Sequence, residues 1–131
     1  MKVLLDNNVW VAGLIARGAC TDLIDHCLSA HQLVVSDWIL EEVKEKLLTK
    51  FKYAPERVKE VESWMLEICD FFQLVGIPPE ISRDADDNYV LLSAKQAQVV
   101  CLVSGDKDLL ILEKFENIPI INPSGFWALE D

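Results

Sequence analysis

The feature that most constrains the fold is a series of short, almost uninterrupted apolar runs, each closing on polar or turn residues and separated from the next by a helical pattern. Lys2 to Leu5 (KVLL) closes on Asp6, and Leu33 to Ser36 (LVVS) closes on Ser36-Asp37. Phe71 to Val75 (FFQLV) precedes Gly76-Ile-Pro-Pro, Val99 to Val103 (VVCLV) precedes Ser104-Gly-Asp, and Ile118 to Ile121 (IPII) precedes Asn122-Pro. Helical patterns are expected over 8–16, 21–29, 37–50, 56–69, 87–97 and 107–113. The third has Ile39, Leu40, Val43, Leu47 and Leu48 on one face, with Glu41, Lys44 and Glu45 turned away. Strands that are apolar throughout, alternating with helices, belong to a parallel sheet covered on both faces. The expected fold is therefore a three-layer α/β/α domain with a central parallel sheet of four to five strands. Pro119 lacks an N–H, so the last run should be an edge or irregular strand.

At 131 residues, 51% of them hydrophobic, one domain covering residues 1–131 is expected. Met1 to Asp6 is too short for a signal peptide, and no apolar run reaches the ~18 residues that span a bilayer, so a soluble cytoplasmic protein is expected, with no membrane partner. Cys20, Cys27, Cys69 and Cys101 have no C-x-x-C spacing and read as reduced thiols in the core. His26 and His31 have no second ligand at metal-site spacing, so nothing local makes them zinc ligands. The net charge of −10 opposes polyanion binding over the whole surface. Yet six of the twelve basic residues, Lys44, Lys46, Lys50, Lys52, Arg57 and Lys59, crowd into one stretch, while acids crowd the segment from Glu80 to Asp87. A dipolar surface follows.

In open α/β sheets ligands bind beyond the carboxyl ends of the strands, where strand order reverses. Asp6 and Asp106 both stand just past such ends. Asp6 could cap the following helix, although Asn8 could cap it equally well and leave the acid free. Glu42 lies beside Ile39, Val43 and Leu47, at the border of a buried face, where an acid either meets the helix dipole or lines a crevice. Asp84, Asp86 and Asp87 open one helix; a cap needs one acid, and three repel unless a cation or Arg83 compensates. Asp106 or Asp108 could cap the helix after Gly105. Two carboxylates ~5 Å apart repel by roughly 3 kcal/mol at an effective dielectric near 20. A converging set would need a cation, and all-oxygen donors select Mg²⁺ or Mn²⁺, ions that bridge to substrate phosphates.

Val3-Leu-Leu-Asp-Asn-Asn-Val9, Ser36-Asp-Trp-Ile-Leu-Glu-Glu42, Arg83-Asp-Ala-Asp-Asp-Asn88 and Val103-Ser-Gly-Asp-Lys-Asp-Leu-Leu110 together resemble the PIN-domain family. The likeness is greatest to the small single-domain, VapC-like toxins of toxin–antitoxin pairs. The resemblance implies a Mg²⁺- or Mn²⁺-dependent endoribonuclease whose metal-binding and catalytic acids are Asp6, Glu42, Asp87 and Asp106. Within the acidic cluster it selects Asp87, seven residues before Ala94, and leaves Asp84 and Asp86 as capping or supporting acids. Asn8 and Ser104 match polar positions beside the site, and Asp108 is a second candidate for the fourth position. Asn7 and Ser104 stand where the family usually has Thr, and both keep hydrogen-bonding capacity. The partners implied are an RNA substrate and a small antitoxin protein, with a homo-oligomer, most simply a dimer, as the assembly.

On this reading Asp6, Asp87 and Asp106 hold one ion and Glu42 positions a second for an in-line displacement that leaves 5′-phosphates. Lys44, Lys46, Lys50 and Lys52 are the candidate RNA-contacting cations, or else one solvated helix face. Two rival classes share parts of the pattern. One is a weakly catalytic or inactive PIN-like protein acting through partners, with Trp10, Trp38, Trp64 and Trp127 available as anchors. The other is a metal-dependent small-molecule phosphatase. A phosphoacceptor domain would want a lone Asp after the third strand, where Gly76-Ile-Pro-Pro stands.

Overall fold

Strand β1 (Lys2–Leu5) opens the chain, followed by helices α1 (Asn7–Ile15) and α2 (Ala19–Ala30), in a computed structural model that describes residues 1–130. Then come β2 (Gln32–Ser36), α3 (Asp37–Thr49), α4 (Pro55–Ile68), β3 (Asp70–Phe72), α5 (Ala85–Ala97) and β4 (Cys101–Val103). The described part ends with α6 (Lys107–Leu110), β5 (Lys114–Phe115), β6 (Ile118–Ile121) and α7 (Pro123–Glu130). The sheet order is β3-β2-β1-β4-β6-β5, and every pairing is parallel except β5 with β6. Val3, Leu4 and Leu5 are all fully buried. Successive strand residues point to opposite faces, so helices must cover both sides, as an unbroken apolar run requires.

From β1 the chain winds outward to β2 and β3, and then returns to place β4 and β6 on the other side. Strand order therefore reverses between β1 and β4, paired in the register Leu5↔Val103. The crevice beyond their carboxyl ends is where such a sheet binds ligands.

Two elements differ from expectation and two were not anticipated. Strand β6 is not the edge, because the two-residue antiparallel β5 pairs outside it, with Lys114 opposite Pro119. Pro119 is tolerated since the ladder to β4 uses only Ile120 and Ile121. The hairpin turns at Glu116 and Asn117, both at positive φ (46° and 71°), a two-residue turn built without glycine and so without the usual signal. Strand β3 stops at Phe72, opposite the last residue of β2. Beyond it side chains replace the ladder: Leu74 N–H donates to Asp37 Oδ1 (2.8 Å) and Val75 N–H to Gln96 Oε1 (2.8 Å). Helix α7 follows Asn122, whose Oδ1 accepts from Gly125 N–H at 2.7 Å, with Pro123 in the first turn.

Trp10 is fully buried and meets Trp64 edge-on at 6.2 Å, so core packing claims these two tryptophans, whereas Trp127 is 40% exposed. Leu48 lies outside the core, 37% exposed. The four cysteines are free; Cys27, Cys69 and Cys101 are buried and Cys20 half-buried. Burial pushes the Cys69 and Cys101 thiols up to about 12, which keeps them protonated and inert. No helix among the described residues is long and apolar enough to cross a membrane.

Helices α1 and α2 meet at Gly13. A Cβ there would lie 2.6 Å from Ile24 Cδ1 and 3.2 Å from the Cys20 carbonyl carbon. Ile24 can rotate but the α2 backbone cannot, so Gly13→Val should cost about 1–3 kcal/mol through overpacking, read as a lower denaturation midpoint.

Candidate metal centre

Asp6 is the N-cap of α1 through its backbone only: its carbonyl accepts from Val9 N–H (3.0 Å), and its side chain makes no cap bond. Asn8 does not cap either; it lies inside α1 and its Oδ1 accepts from Lys46 Nζ at 2.7 Å. The Asp6 carboxylate, 2% exposed, is thus free of the helix end and buried just beyond β1. Its Oδ2 accepts from Ser104 Oγ at 2.8 Å, and Ser104 Oγ accepts in turn from Asp106 N–H at 3.0 Å. Ser104, fully buried at the end of β4, therefore fixes both acids across the strand reversal.

Asp106 caps α6 with one oxygen, Oδ1, which accepts from Asp108 N–H at 2.8 Å. Asp108 is held away by Arg83, whose Nε and Nη2 reach its two oxygens at 3.2 and 3.1 Å, a bidentate pair. At the start of α5 the three acids divide. Asp84 is the N-cap, accepting from Asp86 N–H at 2.9 Å, while Asp87 is buried and accepts from Ser82 Oγ at 3.0 Å. Asp84, Asp87 and Asp106 each present a carboxylate oxygen within 4.8 Å of the others. Sequence reasoning left Asp84 as a capping or supporting acid. It does cap, and the fold also brings it beside Asp87 and Asp106.

Burial raises the Asp6 pKa, with Asp106 adding to the effect and Ser104 and Lys46 opposing it. Asp87 is pushed up to about 6 by burial first and then by Asp106, Asp84 and Asp6, against the Ser82 hydrogen bond. Glu42 stands on the border of α3, half-buried, while Glu41 and Glu45 are exposed as their helical positions imply. Its pKa is raised by burial, then by Asp86 and Glu45, and lowered by Lys46. The charges that act on Glu42 are thus Asp86, Glu45 and Lys46, and it stands outside the trio of Asp84, Asp87 and Asp106. Lys46 bridges the two groups: it bonds Asn8, and its charge acts on both Asp6 and Glu42.

The other candidate cations are placed differently. Lys44 pairs with Glu62 at 2.6 Å and Glu41 at 3.1 Å, which ties α3 to α4. Lys50 lies 5.6 Å from the ring centroid of its neighbour Phe51, and Lys52 occupies a positive φ of 57° beyond the end of α3. Trp38 stacks on Tyr89 at 5.2 Å and 11°, one turn before Glu42 and two residues after Asp87.

The model of the PIN-domain family matches residues 2–108. The chain therefore belongs to the PIN-domain family, whose members are in general nucleases and typically bind divalent metals. Three solved structures share the fold at low identity. VapBC2 from Rickettsia felis, bound to a DNA fragment from its promoter, is 13% identical with a TM-score of 0.68, covering 93% of this chain and 98% of that one. FitAcB from Neisseria gonorrhoeae is 16% identical with a TM-score of 0.60 over 93% and 98% of the two chains. FitAB bound to an IR36 DNA fragment gives 16% and 0.61 over 92% and 94%. No curated protein matches the chain.

Proposed function

We propose that this PIN domain is a Mg²⁺- or Mn²⁺-dependent endoribonuclease and the toxin of a toxin–antitoxin pair. The observation that carries the proposal is the convergence of Asp84, Asp87 and Asp106, with Asp6 joined to Asp106 through Ser104, at the strand reversal. The donor set fits a hard divalent cation: the donors are carboxylate oxygens alone, and their mutual repulsion is part of what raises the pKa of Asp87 and Asp6. Asp6, Asp87 and Asp106 would hold the ion, with Asp84 alongside and Glu42 on the substrate side near Lys46. A bound Mg²⁺ or Mn²⁺ supplies Lewis acidity toward a phosphoryl oxygen and toward the attacking water.

The chain's own groups do the positioning. Ser104 fixes the orientation of Asp6 and the turn that carries Asp106. Arg83 neutralises Asp108 and so keeps a further acid away from the centre. Lys46, at the border between Asn8 and Glu42, is the cation best placed to meet an RNA phosphate, whereas Lys44 is held by its two glutamates. Lys46→Ala should therefore weaken RNA binding and lower the slope of log K against log salt by about 0.7–1. Lys44→Ala should leave that slope unchanged.

The toxin assignment rests on the fold shared with the VapBC2 structure, bound to a DNA fragment from its promoter, and the FitAB structure, bound to an IR36 DNA fragment, and on the motif resemblance. A small antitoxin and a second copy of the chain are the proposed partners. Val75, Ile77 and Ile81, 68%, 90% and 49% exposed on one segment beside α5, are apolar surface that a partner would cover. The test of the chemistry is the product ends. Cleavage of a defined RNA with Mn²⁺ should leave 5′-phosphates and 3′-hydroxyls, because hydrolysis by water needs no 2′-hydroxyl. Cyclic 2′,3′-phosphates would contradict it. Expression of the wild type should arrest growth with loss of RNA integrity, and co-expression of a cognate antitoxin should relieve it.

A further inference from the structure

At the opposite, amino-terminal end of the sheet, the fold assembles a second group of metal-ligating side chains. His26 lies in the last turns of α2, His31 caps that helix immediately before β2, and Glu130 is the last residue of α7. Glu130 Oε2 lies 2.5 Å from His31 Nε2 and 2.9 Å from His26 Nε2, while Oε1 lies 2.8 Å from His26 Nε2. One ligand atom from each residue falls within 4.8 Å of the other two. We propose that His26, His31 and Glu130 form a zinc site that clasps helix α7 to α2.

The donor chemistry separates this site from the acidic one. Two imidazole nitrogens and one carboxylate oxygen suit Zn²⁺ and its neighbours Co²⁺, Ni²⁺ and Cu²⁺, whereas all-oxygen sets suit Mg²⁺ and Mn²⁺. Three protein donors leave a fourth tetrahedral position open to water. Both Nε2 atoms converge on the same carboxylate, and His31 Nδ1 is turned the other way, 3.4 Å from the Met1 nitrogen. Nε2 is therefore the ligating atom on each ring. The rings are also fixed from outside. His26 lies 4.7 Å from Trp127 and 6.4 Å from Phe126, and His31 meets Phe126 edge-on at 5.6 Å, Phe126 being fully buried. Such a wall around metal-ligating imidazoles holds their orientation and limits water access. The His31 side chain is 10% exposed, that of Glu130 21% and that of His26 32%, so the cluster is reachable from solvent and its three donors already converge before an ion arrives. Local spacing could not reveal the group, because Glu130 stands 99 and 104 residues away from its partners in sequence.

The test is isothermal titration of the untagged chain with Zn²⁺ and, separately, Mn²⁺, together with the visible spectrum of Co²⁺. Wild type should take up one equivalent of Zn²⁺ that the Asp6→Asn/Asp106→Asn double variant retains. His26→Ala and Glu130→Ala should each weaken that binding at least tenfold while leaving Mn²⁺ binding intact, which also serves as the control that the variants fold. Glu130→Gln is the decisive companion. It can still hydrogen-bond both rings, so its metal-free melting should change little, but the several-degree rise that Zn²⁺ gives the wild type should vanish. Co²⁺ should show tetrahedral bands without thiolate charge transfer. Zn²⁺ uptake unaffected by the His26 and Glu130 substitutions, or absent from the double aspartate variant, would overturn the proposal.

Discussion

Asp6→Asn should abolish metal-dependent cleavage while leaving the fold intact. The amide keeps the size of the carboxylate and can still accept from Ser104 Oγ, the 2.8 Å contact that fixes the side chain. It also removes a buried charge whose ionisation burial disfavours, so the metal-free domain should be no less stable than the wild type. What is lost is an anionic ligand. A divalent ion stabilises developing phosphoryl charge by several kcal/mol, and at about 1.4 kcal/mol per tenfold the rate should fall by about 10³ or more. Asp106→Asn should behave alike, because Asp106 shares the Ser104 link and keeps α6 capped through either an amide or a carboxylate oxygen. Asp108→Asn should cost far less, since that carboxylate is engaged by Arg83. The measurement is Mn²⁺ titration followed by single-turnover cleavage of a labelled RNA. Wild-type rates in Asp6→Asn, or loss of wild-type activity that Mn²⁺ cannot restore after chelation, would refute the assignment of the centre.

The second large effect is on stability, and its sign follows from Asp87. The pKa of this group is raised in the folded protein to about 6, above an unfolded value near 4, so between those values the native state binds the extra proton. The stabilisation from keeping Asp87 protonated is complete below about pH 4 and is lost as pH rises through 6. The raised pKa values of Asp6 and Glu42 act in the same direction. For Asp87 the change corresponds to about 2 kcal/mol after allowance for solvent screening. A divalent cation replaces the proton above pH 6. Thermal unfolding in chelator should therefore show lower stability at pH 7.5 than at pH 5, and Mn²⁺ should raise the midpoint at pH 7.5 much more than at pH 5. Asp87→Asn should remove most of both differences and stabilise the metal-free domain at pH 7.5. The comparison with this variant isolates the site from the general repulsion of a chain with net charge −10. An unchanged pH dependence in Asp87→Asn would show that the penalty lies elsewhere.

Much of the framework was legible because it is local. Apolar runs that are buried on both faces have no polar alternation, and Val3-Leu4-Leu5 carries that signature in three residues. The acids after β1 and β4 were legible for a related reason: a parallel sheet presents the carboxyl ends of its strands to one crevice. The misses were local too, but their signals were weaker. The β5–β6 hairpin turns on Glu116 and Asn117, which lack the glycine that usually marks such a turn. Helix α7 had a usable signal in Asn122-Pro123, a cap followed by proline, set in a run too short for periodicity to speak.

By itself, then, the amino-acid sequence determined the α/β class, the alternation of strands and helices, the PIN-type motif set, and the placing of Asp6 and Asp106 at strand ends. Each of these depends on residues within one or two turns or strands of one another. Only the tertiary structure decided which acids meet. It turned Asp84 toward Asp87 and Asp106, set Glu42 beside Asp86 and Lys46, removed Asp108 onto Arg83, and carried Glu130 to His26 and His31. The physical reason is that carboxylates and imidazoles act over a few ångströms, whereas periodicity places a side chain only on a face. Distances between residues many positions apart are set by how the helices pack on the sheet.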